Sequence, residues 1–253
     1  MSINIKPITR RRMDELQHGE EVDARAQKFI DEYKLVFNPR TQRWDCDGNV
    51  SVDSRIVRGD KKGFKIRFGE VDGNFNCESK LLRSLYGSPR KVGKSMVCYN
   101  NKLDSLLYAP REVGGTFNCS TNKLKSLEHS PMTVGGKFIC TGNELTDLGG
   151  SPTSVGGSFI CANNKLTSLE GAPKVIGVSF DCNHNELVDL VGAPNVVGND
   201  FYCDNNKLTS LDGAPERVGG DFVCGENPLE SYDGKPSYIG GKFLTEEPTY
   251  VTR

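Results

Sequence analysis

The chain has 253 residues, a formal net charge of -1, and 36% of its residues in the hydrophobic class. That length allows one or two domains with a buried core, and the near-zero charge names no partner. No stretch approaches the ~20 apolar residues of a spanning helix, and the N-terminus carries no apolar run of signal-peptide length, so a cytoplasmic protein with no membrane partner is expected.

Charge is unevenly placed. Residues 1–68 carry 15 Lys and Arg against 11 Asp and Glu, whereas residues 179–253 carry 5 against 13. The nine cysteines are an odd number in a chain without a secretory signal, which argues for free thiols over a disulfide scaffold.

In chain order, residues 1–68 read as an N-terminal cap. Over about 20–35, Val22, Ala26, Phe29, Ile30 and Tyr33 recur at spacings of three and four and predict a helix lying against the first coil of a repeat. "KLVFNPRTQRWDC" reads as two short strands, about 34–46, joined at an Asn-Pro turn. Over about 47–68, Val50 and Val52 stand like a degenerate first repeat. Arg10, Arg11, Arg12, Arg40, Arg43, Arg55, Arg58, Lys61, Lys62, Lys65 and Arg67 suit phosphate contacts, but the acids among them dilute the field. Nucleic-acid binding through this half is therefore a minor alternative.

Residues 69–245 are a repeat, with a tail at 246–253. Cys77, Cys98, Cys119, Cys140, Cys161, Cys182, Cys203 and Cys224 are spaced by 21 residues. With cysteine as position zero, Asn stands at three from Asn101 to Asn227 and Leu at five from Leu82 to Leu229. Pro stands at twelve from Pro89 to Pro236, Val or Ile at fifteen, Gly at sixteen, and Phe at nineteen from Phe117 onward. Phe and Cys two residues apart share one face of a strand, and the glycines and proline mark the return to the next strand. One coil cannot bury its own apolar edge, so the coils must stack into a parallel sheet with one short strand each and a continuous core.

The unit "V-G-G-x-F-x-C-x-x-N-x-L-x-S-L-x-G-x-P" resembles a leucine-rich repeat, with Phe and Cys in place of the two strand leucines. It is similar to the short repeats of tailed bacteriophages and some bacteria, and in length and proline to leucine-rich effectors of enteric pathogens. The resemblance covers about residues 70 to 245. It implies a repeat solenoid, β-dominated within the α/β class, with the parallel sheet on its concave face. The ubiquitin-ligase activity of some effectors is not carried over, since the tail "TEEPTYVTR" shows no appended catalytic domain.

The cysteine row admits three readings: metal ligands, a disulfide ladder or buried thiols. Metal sites cluster their ligands locally, and bridging would distort an in-register ladder, so buried apolar thiols are favoured. The asparagines read as caps that bond main-chain groups of adjacent coils, in preference to ligands along a groove. His18, His129 and His184 form no triad with Ser and Asp, and His184 reads as a surface residue. No catalytic residue, cofactor or metal is expected.

Candidate contacts lie on the outward face of the "F-x-C" strands. One residue before each cysteine position stand Asn76, Val97, Asn118, Ile139, Ile160, Asp181, Tyr202, Val223 and Leu244. Tyr99, Ile139, Ile160 and Ala162 form a candidate apolar patch. Asp181, Asp200, Asp204, Asp221, Glu226, Glu246 and Glu247 gather around Tyr202 and Val223. The expectation is a non-enzymatic binding module that takes a protein with a basic patch, such as a host factor if the chain is phage-encoded. The alternatives are a structural or virion-associated protein that self-associates, and nucleic-acid contact.

Overall fold

The computed structural model describes residues 22–246. It is a β-solenoid whose coils each contribute to two sheets. The sheet of "F-x-C" strands has ten members in sequence order, from Val50–Ser51 through Phe75–Asn76 and onward to Phe243–Leu244. A second, eleven-stranded sheet, the V-G sheet, contains the residues before the glycine corner, such as Glu112–Val113, Thr133–Val134 and Ser154–Val155. The pairings between successive repeat coils are parallel and in register, as in Phe138↔Phe159 and Val134↔Val155, while the pairing of Arg43–Cys46 with Phe68–Val71 slips by one residue between Trp44 and Cys46.

The repeat predicts one strand per coil; there are two. The Val or Ile at position fifteen points inward and is buried from Val92 to Val218, while the residue before it faces out. Two residues are enough for one rung of a second ladder, and that ladder forms the adjoining wall of the coil. At the corner between the two strands the first glycine is needed for proximity. A Cβ on Gly135 would lie 2.1 Å from the Gly114 carbonyl oxygen, and the same crowding recurs at Gly156, Gly177, Gly198 and Gly219. Side chains larger than hydrogen would push successive coils apart.

The core between the sheets is a set of stacked lanes. Rings from Phe117 to Phe243 stack with centroids 5.1–5.7 Å apart, within the ~4.5–7 Å range of favourable aromatic pairs. The leucines from Leu82 to Leu211 and the cysteines from Cys77 to Cys224 fill the remaining lanes and are buried. All nine cysteines are free. Several thiols donate to the next coil: Cys161 Sγ to the Asp181 carbonyl at 3.2 Å and Cys182 Sγ to the Tyr202 carbonyl at 3.3 Å.

The asparagines bond main-chain groups across coils. Asn143 Nδ2 donates to the carbonyls of Cys140 (2.9 Å) and of Cys119 in the previous coil (3.2 Å), while its Oδ1 accepts the Leu124 N–H (3.1 Å). Asn101, Asn122, Asn164, Asn185, Asn206 and Asn227 repeat the arrangement. Main-chain groups at a buried bend thus find partners that no strand supplies. The residue two after each cysteine is left-handed in every coil: Ser79, Asn100, Thr121, Gly142, Asn163, His184, Asn205 and Glu226 have φ of 51–67°. This places His184 in a turn that favours Asn, Gly and His over β-branched residues.

At the N-terminal end, helix α1 (Ala24–Glu32) is capped by Asp23, whose side chain accepts the N–H groups of Arg25 and Ala26. Ala26, Phe29 and Ile30 are its buried residues, and Phe29 packs edge-on to Phe68, which in turn packs edge-on to Phe64 and Phe75. Val36–Asn38 and Arg43–Cys46 form an antiparallel pair, and Arg43–Cys46 continues as a parallel strand of the V-G sheet. Val50 and Val52 are buried like the Phe and Cys of later coils. Among the described residues no helix is long and apolar enough to cross a membrane. The triple arginine at 10–12, His18 and Glu247 lie outside the described residues.

Candidate binding face

The strand period puts Phe and Cys inward, so the positions between and beside them form the outer face of the "F-x-C" sheet in three lanes. The central lane brings Ile139, Ile160, Asp181, Tyr202 and Val223 into consecutive register. Ile139, Ile160, Asp181 and Tyr202 are half-buried. Val223 is only 1% exposed, so it is not the accessible contact expected of it. It stands in register between the larger residues Tyr202 and Leu244.

The lane after the cysteines holds Tyr99, Ala162 and Asp204. Tyr99 is half-buried but lies two coils before Ile139, so the structure does not join it to the isoleucines. Ala162 is buried, which removes it from the expected patch. Asp204 is 7% exposed and accepts from Asn205 Nδ2 at 3.0 Å, which makes it part of the turn more than an offered charge.

The lane before the strands corrects a further expectation. Asp200 and Asp221 are not free outward acids: each caps the backbone of the next coil. The Asp221 N–H donates to Asp200 Oδ1 at 2.9 Å, and the Lys242 N–H donates to Asp221 Oδ1 at 2.7 Å. Asn74, Ser95, Ser158 and Ser179 serve the same N–H in other coils. Asp200 also accepts the Tyr202 hydroxyl at 3.1 Å and so orients that ring.

Asp181 is the exception among the acids. It accepts one N–H, from Asn183 at 3.1 Å, and forms no ion pair among the described residues. Burial pushes its carboxyl above the usual aspartate range, Asp204 adds to the effect, and the Asn183 bond only partly offsets it.

Elsewhere, much of the N-terminal charge is neutralised internally. Arg55 pairs with Glu32 and Asp53, and Lys65 pairs with Asp23. Arg43 and Arg67 instead line a cleft on the V-G sheet with Arg90 and Arg111. The repeat reading missed these last two because they stand outside the "F-x-C" face. The signal available was their position next to Pro89 and Pro110, one residue before each V-G strand. Comparison of the chain with protein families, curated proteins and solved structures finds no match.

Proposed function

We propose that the chain is a non-enzymatic binding protein whose "F-x-C" sheet docks a protein partner carrying a basic group beside an apolar ridge. The observation that carries this reading is the desolvated, unpaired carboxylate of Asp181, held in register between Ile160 and the oriented ring of Tyr202. A cation from a partner would satisfy that carboxylate, and the flanking aliphatic and aromatic surface supplies the area from which affinity comes. The likeness of the repeats to those of tailed bacteriophages supports a leucine-rich-repeat-type module acting on a host factor in the host cytoplasm.

The test is affinity capture from bacterial lysate with the intact protein beside a Tyr202→Ala variant and an Asp181→Asn variant. Tyr202→Ala should weaken binding by ~2 kcal/mol or more, mainly through faster dissociation. Retained binding by a variant changed at Ile160, Asp181 and Tyr202 together, with loss only when residues 1–68 are altered, would move the interface to the N-terminal region. A second reading, end-to-end self-association, is favoured by the terminal strands Tyr238–Ile239 and Phe243–Leu244, which have a neighbour on one side only among the described residues. Light scattering over a concentration and salt series separates the two, since a salt-insensitive monomer counts against assembly.

A further inference from the structure

The V-G sheet carries a cluster of four arginines where it meets the N-terminal strands. Arg43 and Arg67 immediately precede the paired residues Trp44 and Phe68, and Arg90 and Arg111 immediately precede the paired residues Lys91 and Glu112. The Arg111 N–H donates to the Arg90 carbonyl at 2.9 Å, so these two are neighbours on the ladder. Arg90 stands opposite Gly69, two residues along the strand from Arg67, so the arginines form two side-by-side pairs, Arg43 with Arg67 and Arg90 with Arg111, offset by roughly 7 Å along the strand direction. The series then stops, because the next coils place Met132 and Thr153 at the equivalent position.

Like charges in adjacent strands repel, so such a cluster costs stability unless something answers it. Among the described residues nothing does. None of the four guanidinium groups forms an ion pair among the described residues. Arg43 is held in place by the carbonyls of Phe68 (2.6 Å) and Ser88 (3.2 Å), and Arg67 by the Tyr86 hydroxyl (2.9 Å). These contacts fix two arginines geometrically and leave their charge uncompensated.

The cleft they line holds about 570 Å³, and its walls are completed by Tyr86, Gly87, Ser88, Pro89, Tyr108 and Ala109, with no acid among them. Two further observations point to a ligand. The Ser88 hydroxyl, on a residue 3% exposed, is buried without a hydrogen-bond partner. Tyr108 has φ 74°, at the repeat position where Gly87, Gly150, Gly171, Gly192, Gly213 and Gly234 adopt φ of 82–94° and where, outside the cleft, His129 adopts 66°. A bulky aromatic residue in that conformation is strained, and strain of this kind collects at ligand sites. The Tyr108 ring packs edge-on to Tyr86 at 5.4 Å and remains 49% exposed, so a face is left for stacking.

We infer that this cleft binds a nucleoside polyphosphate, with its phosphate chain across the arginine pairs and its base on Tyr108. Guanidinium forks match phosphate oxygens, and a finite cluster beside one open ring suits a mononucleotide more than a continuous strand. The site lies on the other sheet from the proposed partner face, so either can fail without the other.

Titration calorimetry of the full chain with ATP, inorganic triphosphate, adenosine and a ten-nucleotide single-stranded DNA tests the assignment. Saturable one-to-one binding of ATP is expected, weaker binding of triphosphate, and none of adenosine. Joint replacement Arg90→Ala and Arg111→Ala should weaken ATP binding tenfold or more. These side chains make no hydrogen bond among the described residues, so the fold should survive, as a thermal melt would verify. Tyr108→Gly should weaken ATP at least fivefold, leave triphosphate unchanged and leave the melting temperature equal or higher. Absence of saturable binding by both ATP and triphosphate, or unchanged ATP affinity in the double variant, would overturn the proposal. Tighter binding of the DNA than of ATP would also overturn it, in favour of a strand-binding site.

Discussion

Replacing Asn143 with alanine tests the inter-coil caps directly. The side chain makes three strong bonds, to the carbonyls of Cys140 and Cys119 and from the N–H of Leu124, and the residue is buried. A protein hydrogen bond contributes about 1 kcal/mol net, and a stranded buried group costs about 1–3 kcal/mol. Water can reach some of the three abandoned main-chain groups only if the coil opens, so the expected loss is about 3–4 kcal/mol. For a chain of this size that corresponds to a fall in melting temperature on the order of 10 °C. Urea denaturation monitored by far-ultraviolet circular dichroism measures it, with Asn163→Ala as the reference. Asn163 lies in the exposed left-handed turn and makes no side-chain bond among the described residues. Asn143→Asp separates the roles further, because a carboxylate still accepts the Leu124 N–H but cannot donate to the two carbonyls. A loss below about 1 kcal/mol for Asn143→Ala would refute the capping argument and leave the asparagine row without a structural explanation.

Burial pushes the thiol of Cys98 up to about 12 and that of Cys224 up to about 11, with Cys119, Cys161, Cys182 and Cys203 raised as well. Because an unfolded thiol ionises near ~8.5, stability should be full below that pH and fall as pH rises through the folded values, by about 1.4 kcal/mol per unit for each thiol. A denaturation midpoint that is constant between pH 8 and 10 would contradict this, as would rapid native labelling of these cysteines. Gly135→Ala places a methyl 2.1 Å from the Gly114 oxygen and should destabilise by about 3 kcal/mol or more, whereas Gly59→Ala, with nothing within 4 Å, should be nearly neutral. Thr121→Asn relieves a β-branched residue at φ 52° and should raise stability by about 1 kcal/mol in the same assay. Asp221→Lys should lower stability through loss of the cap on the Lys242 N–H, and an unchanged midpoint would mean that water replaces it.

The period of 21 residues made the solenoid legible, because chemical identity at fixed spacing is what stacking coils require. Burial of the cysteines and the capping asparagines follow from the same register. The V-G strands were not legible, since two residues are too short for any alternation, and only the pairing of Val134 with Val113 and Val155 reveals them. The outward lane can be placed by strand period alone, but accessibility depends on neighbours. Val223, flanked in register by Tyr202 and Leu244, is buried, and Asp200 is drawn into a main-chain bond one coil away. The arginine cluster was hidden because its spacings, 24, 23 and 21 residues, settle into the repeat only at the last step.

The lanes also determine how the molecule would respond to tension. Its sheets run in sequence order from the first coils to Phe243–Leu244, so a pull on the two ends acts along the ladder hydrogen bonds and loads one rung at a time. Such a stack opens like a zipper at low force. The last coil should leave first, since Phe243 has a stacked ring on one side only and an edge-on Tyr232 as its other aromatic neighbour. Each coil of 21 residues then adds roughly 7 nm of extended chain, at ~3.4 Å per residue, giving an evenly spaced series of steps in an optical trap.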